Sequence, residues 1–490
     1  MKTEQTENRS QTEDSSQREG SSQTEGSSQT EGSSQTEDSS QTKKSSVQSC
    51  HPFVTSPNKT LLKLSIPVLF SLIAEPLTGL VDTIFVARLG TLPLAALGVG
   101  TAVLSSLFWI FNFLGIGSQT EIARAMGNRD NKRLNQVTTL AVGMAIFLGI
   151  VVILICFPLI DSMTRLMAAS GDVHEYAVDY IRIRLFGGPA ILISLAAFGV
   201  MRGCQNMTTP LWIAGVINIM NIILDPILIF GWGFFPEMGV KGAALASVLS
   251  QWSGALASIY YLLKKIGHPE SVILSEALML LKVGRDLFIR TGMLIIFLLL
   301  STRAATAVGA EAGAAHQAIR QTWYFTAFLL DAYAMVGQSL VAFFIGADDL
   351  LQARRVAFFV SIWSIITGFC LGFIMMLGQA QIIQLMVPGA AVAIFTGAWQ
   401  IAALTQPINA LAFATDGIHW GTGDYGWLRN VVSVATISSC ILLFIFEYNK
   451  NLTLSGVWLI TIVWVVIRAG GGIMRIWPGV GKAPLAKKPV

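Results

Sequence analysis

Asp82 and Asp225 are carboxylic acids set inside apolar runs of the length needed to cross a bilayer, and each has oxygen-bearing neighbours at helical spacing. Glu75 and Asp82 lie seven apart in IAEPLTGLVDTIFVARLG, which puts both on one helix face. Asn218, Asn221 and Asp225 follow at steps of three and four in INIMNIILDPILIF and form one polar stripe. Asp82 is eight residues before Gly90 and Asp225 six before Gly231, so the two carboxyls are expected at similar depth. Ser247, in the returning run, reaches the same level. A charge at membrane depth is expensive and is tolerated where it faces water, pairs, binds a cation or takes a proton. Such a pair can exchange H⁺, or hold Na⁺ through carboxylate, amide and hydroxyl oxygens. Pro226 adds a backbone carbonyl freed one turn back, near Asn221–Ile222.

Other polar positions carry weaker signals. His316, Gln317, Gln321 and Tyr324 can share a face of the eighth run and line a substrate cavity. Asp331, deep in the same run, is a candidate second ion site. Arg182, Arg184 and Arg303 fall nearer run ends, from where arginine can snorkel to the interface.

Helices must position these groups. The chain has 490 residues, 53% hydrophobic and 13% charged, against about 25% charged in soluble domains. Twelve apolar runs follow residue 60, at about 61–87, 95–117, 137–160, 176–200, 210–233, 240–263, 283–307, 313–343, 355–378, 391–416, 428–446 and 453–472. The fold class expected is an all-α polytopic membrane protein of two six-helix lobes, residues 56–266 and 267–475. A weak internal repeat supports the halving. Residues 82–131 align without gaps on 301–350 at offset 219, matching Gly90, Gln119, Gly127 and Asp130 to Gly309, Gln338, Gly346 and Asp349. Residues 189–206 align on 407–424 at offset 218, matching Pro189, Gly199 and Gly203 to Pro407, Gly417 and Gly421. Six spans per half give both halves one orientation, related by a pseudo-two-fold axis along the membrane normal. The acids do not repeat: Asp82 falls on Ser301, and Asp225 has no acidic counterpart in 431–446. Pro67, Pro76, Gly79, Pro189, Pro226 and Pro407 are expected to kink or unwind their helices.

Lys and Arg gather on one set of connections, which places both termini in the cytoplasm, the last residues 476–490 forming a basic tail. Residues 1–55 form a cytoplasmic tail expected to be disordered, in which SSQTEG and its variants recur. It has no apolar signal segment and is too acidic for a typical transit peptide, so the plasma membrane is expected, with an organelle membrane as the alternative. The five cysteines lack metal or disulfide spacing.

At these residues the chain resembles the multidrug and toxic compound extrusion (MATE) transporters. The segments that carry the likeness are EPLTGLVDTIFVARLGTLPLAALG, GVMRGCQNMTTPLWIAGVINIMNIILDPILIF, GVKGAALAS and GAEAGAAHQ, and it spans roughly residues 60–475. VDTIFVARLG and NIILDP are similar to the DinF-like branch. The resemblance implies a V-shaped cavity between two lobes and export of small organic, often cationic, compounds by H⁺ or Na⁺ antiport. It implies a cation site at Asp82, Asn221 and Asp225, with Ser247 where the branch often has threonine.

The alternative is a lipid-linked oligosaccharide flippase of the wider superfamily, which would need basic residues in its cavity where this chain offers acids. No motif of an enzyme appears. No cofactor is expected beyond the coupling ion. The expected partners are a small organic substrate and the bilayer, with no nucleic acid, and the chain is expected to act as a monomer.

Overall fold

The computed structural model describes residues 51–167, 169–233, 235–270 and 274–486, without the side chains of Glu75 and of residues 274–280. The hexamer repeat and the Glu75 side chain, both singled out above, therefore lie outside the described residues.

The described chain is helical. A short α1 (Pro52–Thr55) precedes the first half, which comprises α2 (Pro57–Ala87), α3 (Thr91–Trp109), α4 (Phe113–Asn128), α5 (Asn131–Cys156), α6 (Ile160–Leu166), α7 (Gly171–Leu185), α8 (Gly188–Gly203), α9 (Thr208–Phe230) and α10 (Val240–Lys265). The second half comprises α11 (Leu274–Val308), α12 (Ala310–Gly346), α13 (Leu350–Leu377), α14 (Gln379–Met386), α15 (Val392–Leu404), α16 (Gln406–Thr422), α17 (Tyr425–Tyr448) and α18 (Leu454–Ile476). Among the described residues, nine helical stretches are long and apolar enough to cross a membrane. The pairs α7–α8 and α15–α16, bent by 49° and 46°, each read as one broken span. The 26-residue α10 is long enough but rich in alanine, serine and glycine, which lowers its hydropathy; it completes the expected twelve.

The sequence repeat is a repeat of packing. A Cβ on Gly199 of α8 would lie 2.3 Å from the Gly115 carbonyl oxygen, and one on Gly417 of α16 would lie 2.2 Å from that of Ala334. Gly149 abuts Pro189 Cα at 2.5 Å, and Gly368 abuts Pro407 Cα at 2.7 Å, measured the same way. Asp130 accepts from the Arg133 N–H at 2.9 Å and Asp349 from the Gln352 N–H at 3.0 Å, so both cap the next helix. Each follows a residue in the left-handed region, Arg129 at φ 58° and Asp348 at φ 60°. These matches are the contacts at which backbones touch, where a side chain cannot be exchanged freely. Gly199→Ala and Gly417→Ala are each expected to destabilise the protein by about 1–3 kcal/mol through overpacking, read as a lower melting temperature in detergent.

The prolines divide into two kinds. The bends lie just before Pro189 and Pro407, as expected. Pro67 and Pro76 sit inside an uninterrupted α2, and Pro226 inside an uninterrupted α9, so of the kinks or unwound turns expected there, the unwinding does not occur. One proline removes a single rung from a long ladder, and in these two helices the remaining rungs hold.

The hydrogen bonds that cross between halves gather at the end of the molecule bearing both termini, where α4 meets α12 and α16 and where Ser339 of α12 meets α8. At that end α1 is strapped down by His51, whose Nε2 meets Gln205 Oε1 at 2.8 Å and whose Nδ1 accepts from the Phe53 N–H at 3.1 Å. Burial pushes the His51 imidazole below its usual pKa, and the accepting Nδ1 fits the neutral ring. Phe53 and Leu61 pack there with Phe344, Ile418 and Leu485.

Candidate cation site

Three helices build the acidic site. α2 supplies Asp82, α9 supplies Asn221 and Asp225, and α10 supplies Ser247. A glycine makes the assembly possible: a Cβ on Gly242 of α10 would lie 2.3 Å from the Leu228 carbonyl oxygen, so α10 and α9 touch through backbone. Ser247 then donates to Asp82 Oδ2 at 3.2 Å. The Asn221 amide approaches Asp225 Oδ1 at 3.4 Å and Ser247 Oγ at 3.5 Å, both long and weak. The carboxyls of Asp82 and Asp225 lie within electrostatic reach of each other. Asn221 and Asp225 are 0% exposed, Ser247 4% and Asp82 6%, so bulk water does not satisfy the set.

Three oxygens are left over. Asp82 Oδ1, Asn221 Oδ1 and Asp225 Oδ2 are buried without a hydrogen-bond partner. A buried acceptor without a donor costs about 1–3 kcal/mol, and more when charged. Three such acceptors from adjoining residues form a hard oxygen set suited to a proton or to Na⁺.

The rest of the polar stripe does something else. Asn218 accepts from Thr78 Oγ1 and donates to the Ala214 carbonyl at 2.9 Å, so its amide is occupied one turn away from the acids. Thr78 went unnoticed in the sequence, where a threonine in an apolar run is unremarkable. Arg184 corrects the expectation of a residue snorkelling from a run end. It is half-buried, donates to Gln251 Oε1 at 2.9 Å, and lies within electrostatic reach of both Asp82 and Asp225. The reason is the bend between α7 and α8, which places Arg184 at the middle of a broken span.

The second half holds a different arrangement. Asp416 Oδ2 accepts from Arg290 and, at 2.8 Å, from Arg468. The side chains of Arg468 and Asp416 are each 2% exposed. Arg468 lies over the Trp464 ring at 4.5 Å and Arg290 over Trp420 at 5.3 Å. The expectation that interior charge is acidic thus holds in neither half: Arg184 stands near the first-half acids, and in the second half two buried arginines share one carboxylate. Asp331 is half-buried within electrostatic reach of Arg290 and Arg202, and those cations would oppose a metal ion there.

The proposed face of α12 divides. Gln317 and Gln321 are exposed and Tyr324 half-buried under Arg320, whose guanidinium carbon is 5.7 Å from the ring centre. His316 does not share that face: it is 3% exposed and packs inside its half against Thr302 Oγ1 at 3.4 Å and the Trp458 ring. Arg290, Arg320 and Arg468, like Thr78, were missed; their signal was an arginine inside an apolar run.

The chain is similar in sequence and fold to known proteins. The MatE family model matches residues 67–227. The chain is 31% identical to Protein DETOXIFICATION 44, chloroplastic, of Arabidopsis thaliana, over 85% of this chain and 81% of that protein. It is 28% identical to the DNA damage-inducible protein F of Escherichia coli, over 87% of this chain and 94% of that protein. Among solved structures it superposes at TM-score 0.78 and 23% identity on a MATE protein in its bent conformation, covering 85% of this chain and 94% of that one. At TM-score 0.76 and 24% identity it matches an outward-facing multidrug resistance transporter, with coverages of 85% and 94%. The fold, the repeat and the sequence similarity agree that the chain belongs to the MATE family of membrane transporters.

Proposed function

We propose that this transporter exports small organic compounds in exchange for H⁺ or Na⁺ taken up at Asp82, Asn221 and Asp225, with both termini in the cytoplasm. The three buried oxygens without partners carry the reading, because they lack the donor or cation that the coupling ion would supply. Proton or Na⁺ uptake changes the net charge of a water-poor site between two conformations, and only such a difference in affinity can drive exchange. The half-buried Arg184 supplies a nearby positive charge that weakens cation binding, which favours release on the far side. The exposed Gln317 and Gln321, with Tyr324 beside them, are the proposed substrate-facing groups. Asn218, held by Thr78, acts as support for α9 rather than as a ligand.

Reconstituted protein, loaded with a fluorescent organic cation, tests this under an imposed pH gradient and then an imposed Na⁺ gradient. Efflux driven by one of the two is expected and names the ion. Efflux under neither would reject the antiport reading and bring lipid-linked oligosaccharides forward as the next substrates. Two relatives are named chloroplastic, so a plastid membrane stands against the plasma membrane expected from the sequence, and fractionation of a tagged chain separates the two.

A further inference from the structure

Three pairs of contacts at the termini-bearing end obey the sequence repeat. Gln119 Nε2 donates to the Met335 carbonyl at 2.7 Å, and Gln338 Nε2 donates to the Ile116 carbonyl at 2.7 Å. Adding the offset of 219 turns Gln119 into Gln338 and Ile116 into Met335, so the second bond is the first one seen from the other half. Thr120 Oγ1 donates to the Trp420 carbonyl at 2.9 Å, and Ser339 Oγ to the Arg202 carbonyl at 2.7 Å. Thr120 and Ser339 are again 219 apart, and Arg202 and Trp420 are 218 apart, the offset of the second repeat block. A Cβ on Gly127 would lie 2.0 Å from the Phe343 carbonyl oxygen, and one on Gly346 would lie 2.1 Å from that of Arg124. These four residues are also exchanged by the offset of 219.

We propose that Gln119, Thr120 and Gly127 with Gln338, Ser339 and Gly346 form a reciprocal clasp that holds this end shut and opens as one unit when the transporter turns to face the other way. This rests on the alternating-access reading above. Several observations make it a latch rather than ordinary core. It joins the two halves, so it must part when they rock. All its bonds are polar. In the four hydrogen bonds named, one half gives a side chain and the other a helix carbonyl. Such a carbonyl keeps a backbone bond of its own when the side chain leaves, that of Arg202 from the Gln205 N–H and that of Trp420 from the Gly423 N–H, so opening strands no backbone acceptor. Gln338 Nε2 also reaches Thr120 Oγ1 at 2.9 Å, linking the two polar pairs so that they release together. Close approach at Gly127 and Gly346 brings these short bonds within range, and any larger residue there would hold the helices apart. The Oε1 of Gln338 is buried without a partner, an acceptor that opening would return to water.

The test reads conformation and needs neither substrate nor gradient. Native cysteines are replaced, spin labels are placed at the exposed Asn128 and Leu351, and their distance distribution is recorded in proteoliposomes. Gln119→Leu should raise the open-to-closed ratio by about two- to tenfold, the change expected from losing one hydrogen bond, and Gln338→Leu by at least as much, because Gln338 also bonds Thr120 Oγ1. The double variant should shift further than either. Gly127→Ala and Gly346→Ala should shift the distribution in the same direction. An unchanged distribution in the double glutamine variant would overturn the proposal. So would a large effect from one half and none from its counterpart. Should the distances shift while efflux is absent under every gradient, the clasp stands and the antiport reading falls.

Discussion

Asp225→Asn is expected to abolish gradient-driven efflux while the protein still inserts, folds and binds the bilayer as before. Asparagine keeps the size of the side chain and its ability to accept from Asn221, so the packing between α9 and α10 is preserved. It cannot take up a proton, and it brings no charge to a bound cation. Coupling free energies run at about 1–3 kcal/mol, or roughly 5- to 150-fold in affinity, so losing the ionisable member should lower driven efflux by at least about tenfold. Asp82→Asn should behave alike, since Asp82 shares Ser247 with the same cluster. Stability should hold or rise, because removing an ionisable group from a fully buried position removes its desolvation cost. Efflux equal to the parent protein in both variants, measured in the same vesicles, would remove these carboxyls from the mechanism.

What the sequence disclosed and what it withheld follow from how membranes select residues. Asp82, Asn221, Asp225 and Ser247 were found by counting along helices, and counting works because each residue advances a helix by about 1.5 Å. Their order along three helices therefore fixed their depth. The repeated glycines were legible for a related reason: where backbones touch, little else fits, and Gly199 and Gly417 show the same close contact in both halves. Arg184 was misplaced because Gly187, Gly188 and Pro189 announce an irregularity without saying whether it is an end, a kink or a turn. His316 was assigned to the wrong face for another reason. Adjacent residues on a helix point about 100° apart, so His316 cannot face the way Gln317 does, whereas Gln317, Gln321 and Tyr324 follow at steps of four and three. Pro67, Pro76 and Pro226 show that a proline marks a missing hydrogen bond and not a break in the helix as such.

The buried arginines of the second half give the opposite expectation from the acids of the first. Asp416→Asn should cost stability, by about 3–5 kcal/mol, because it leaves Arg290 and Arg468 facing each other without the carboxylate that both bind. The effect should appear as a large fall in melting temperature in detergent and a loss of monodisperse protein. Arg468→Met should lose less, since Asp416 keeps Arg290. The triple replacement of Arg290, Asp416 and Arg468 by Met, Leu and Met should recover much of the loss, as apolar substitutes for a buried ionic group often do. An Asp416→Asn protein that melts with the parent would mean that Asp331, within electrostatic reach of Arg290, already balances the cluster, and Asp331→Asn added to it should then bring the collapse. Both halves bury charge by the same physics. In the first half the acidic site leaves three buried oxygens without a hydrogen-bond partner; in the second the carboxylate is paired twice, and the pairs join α11, α16 and α18. One fold repeated twice thus carries two different buried polar arrangements, set by the placement of a few carboxylates and arginines, and on the antiport reading proposed above only the first would meet the coupling ion.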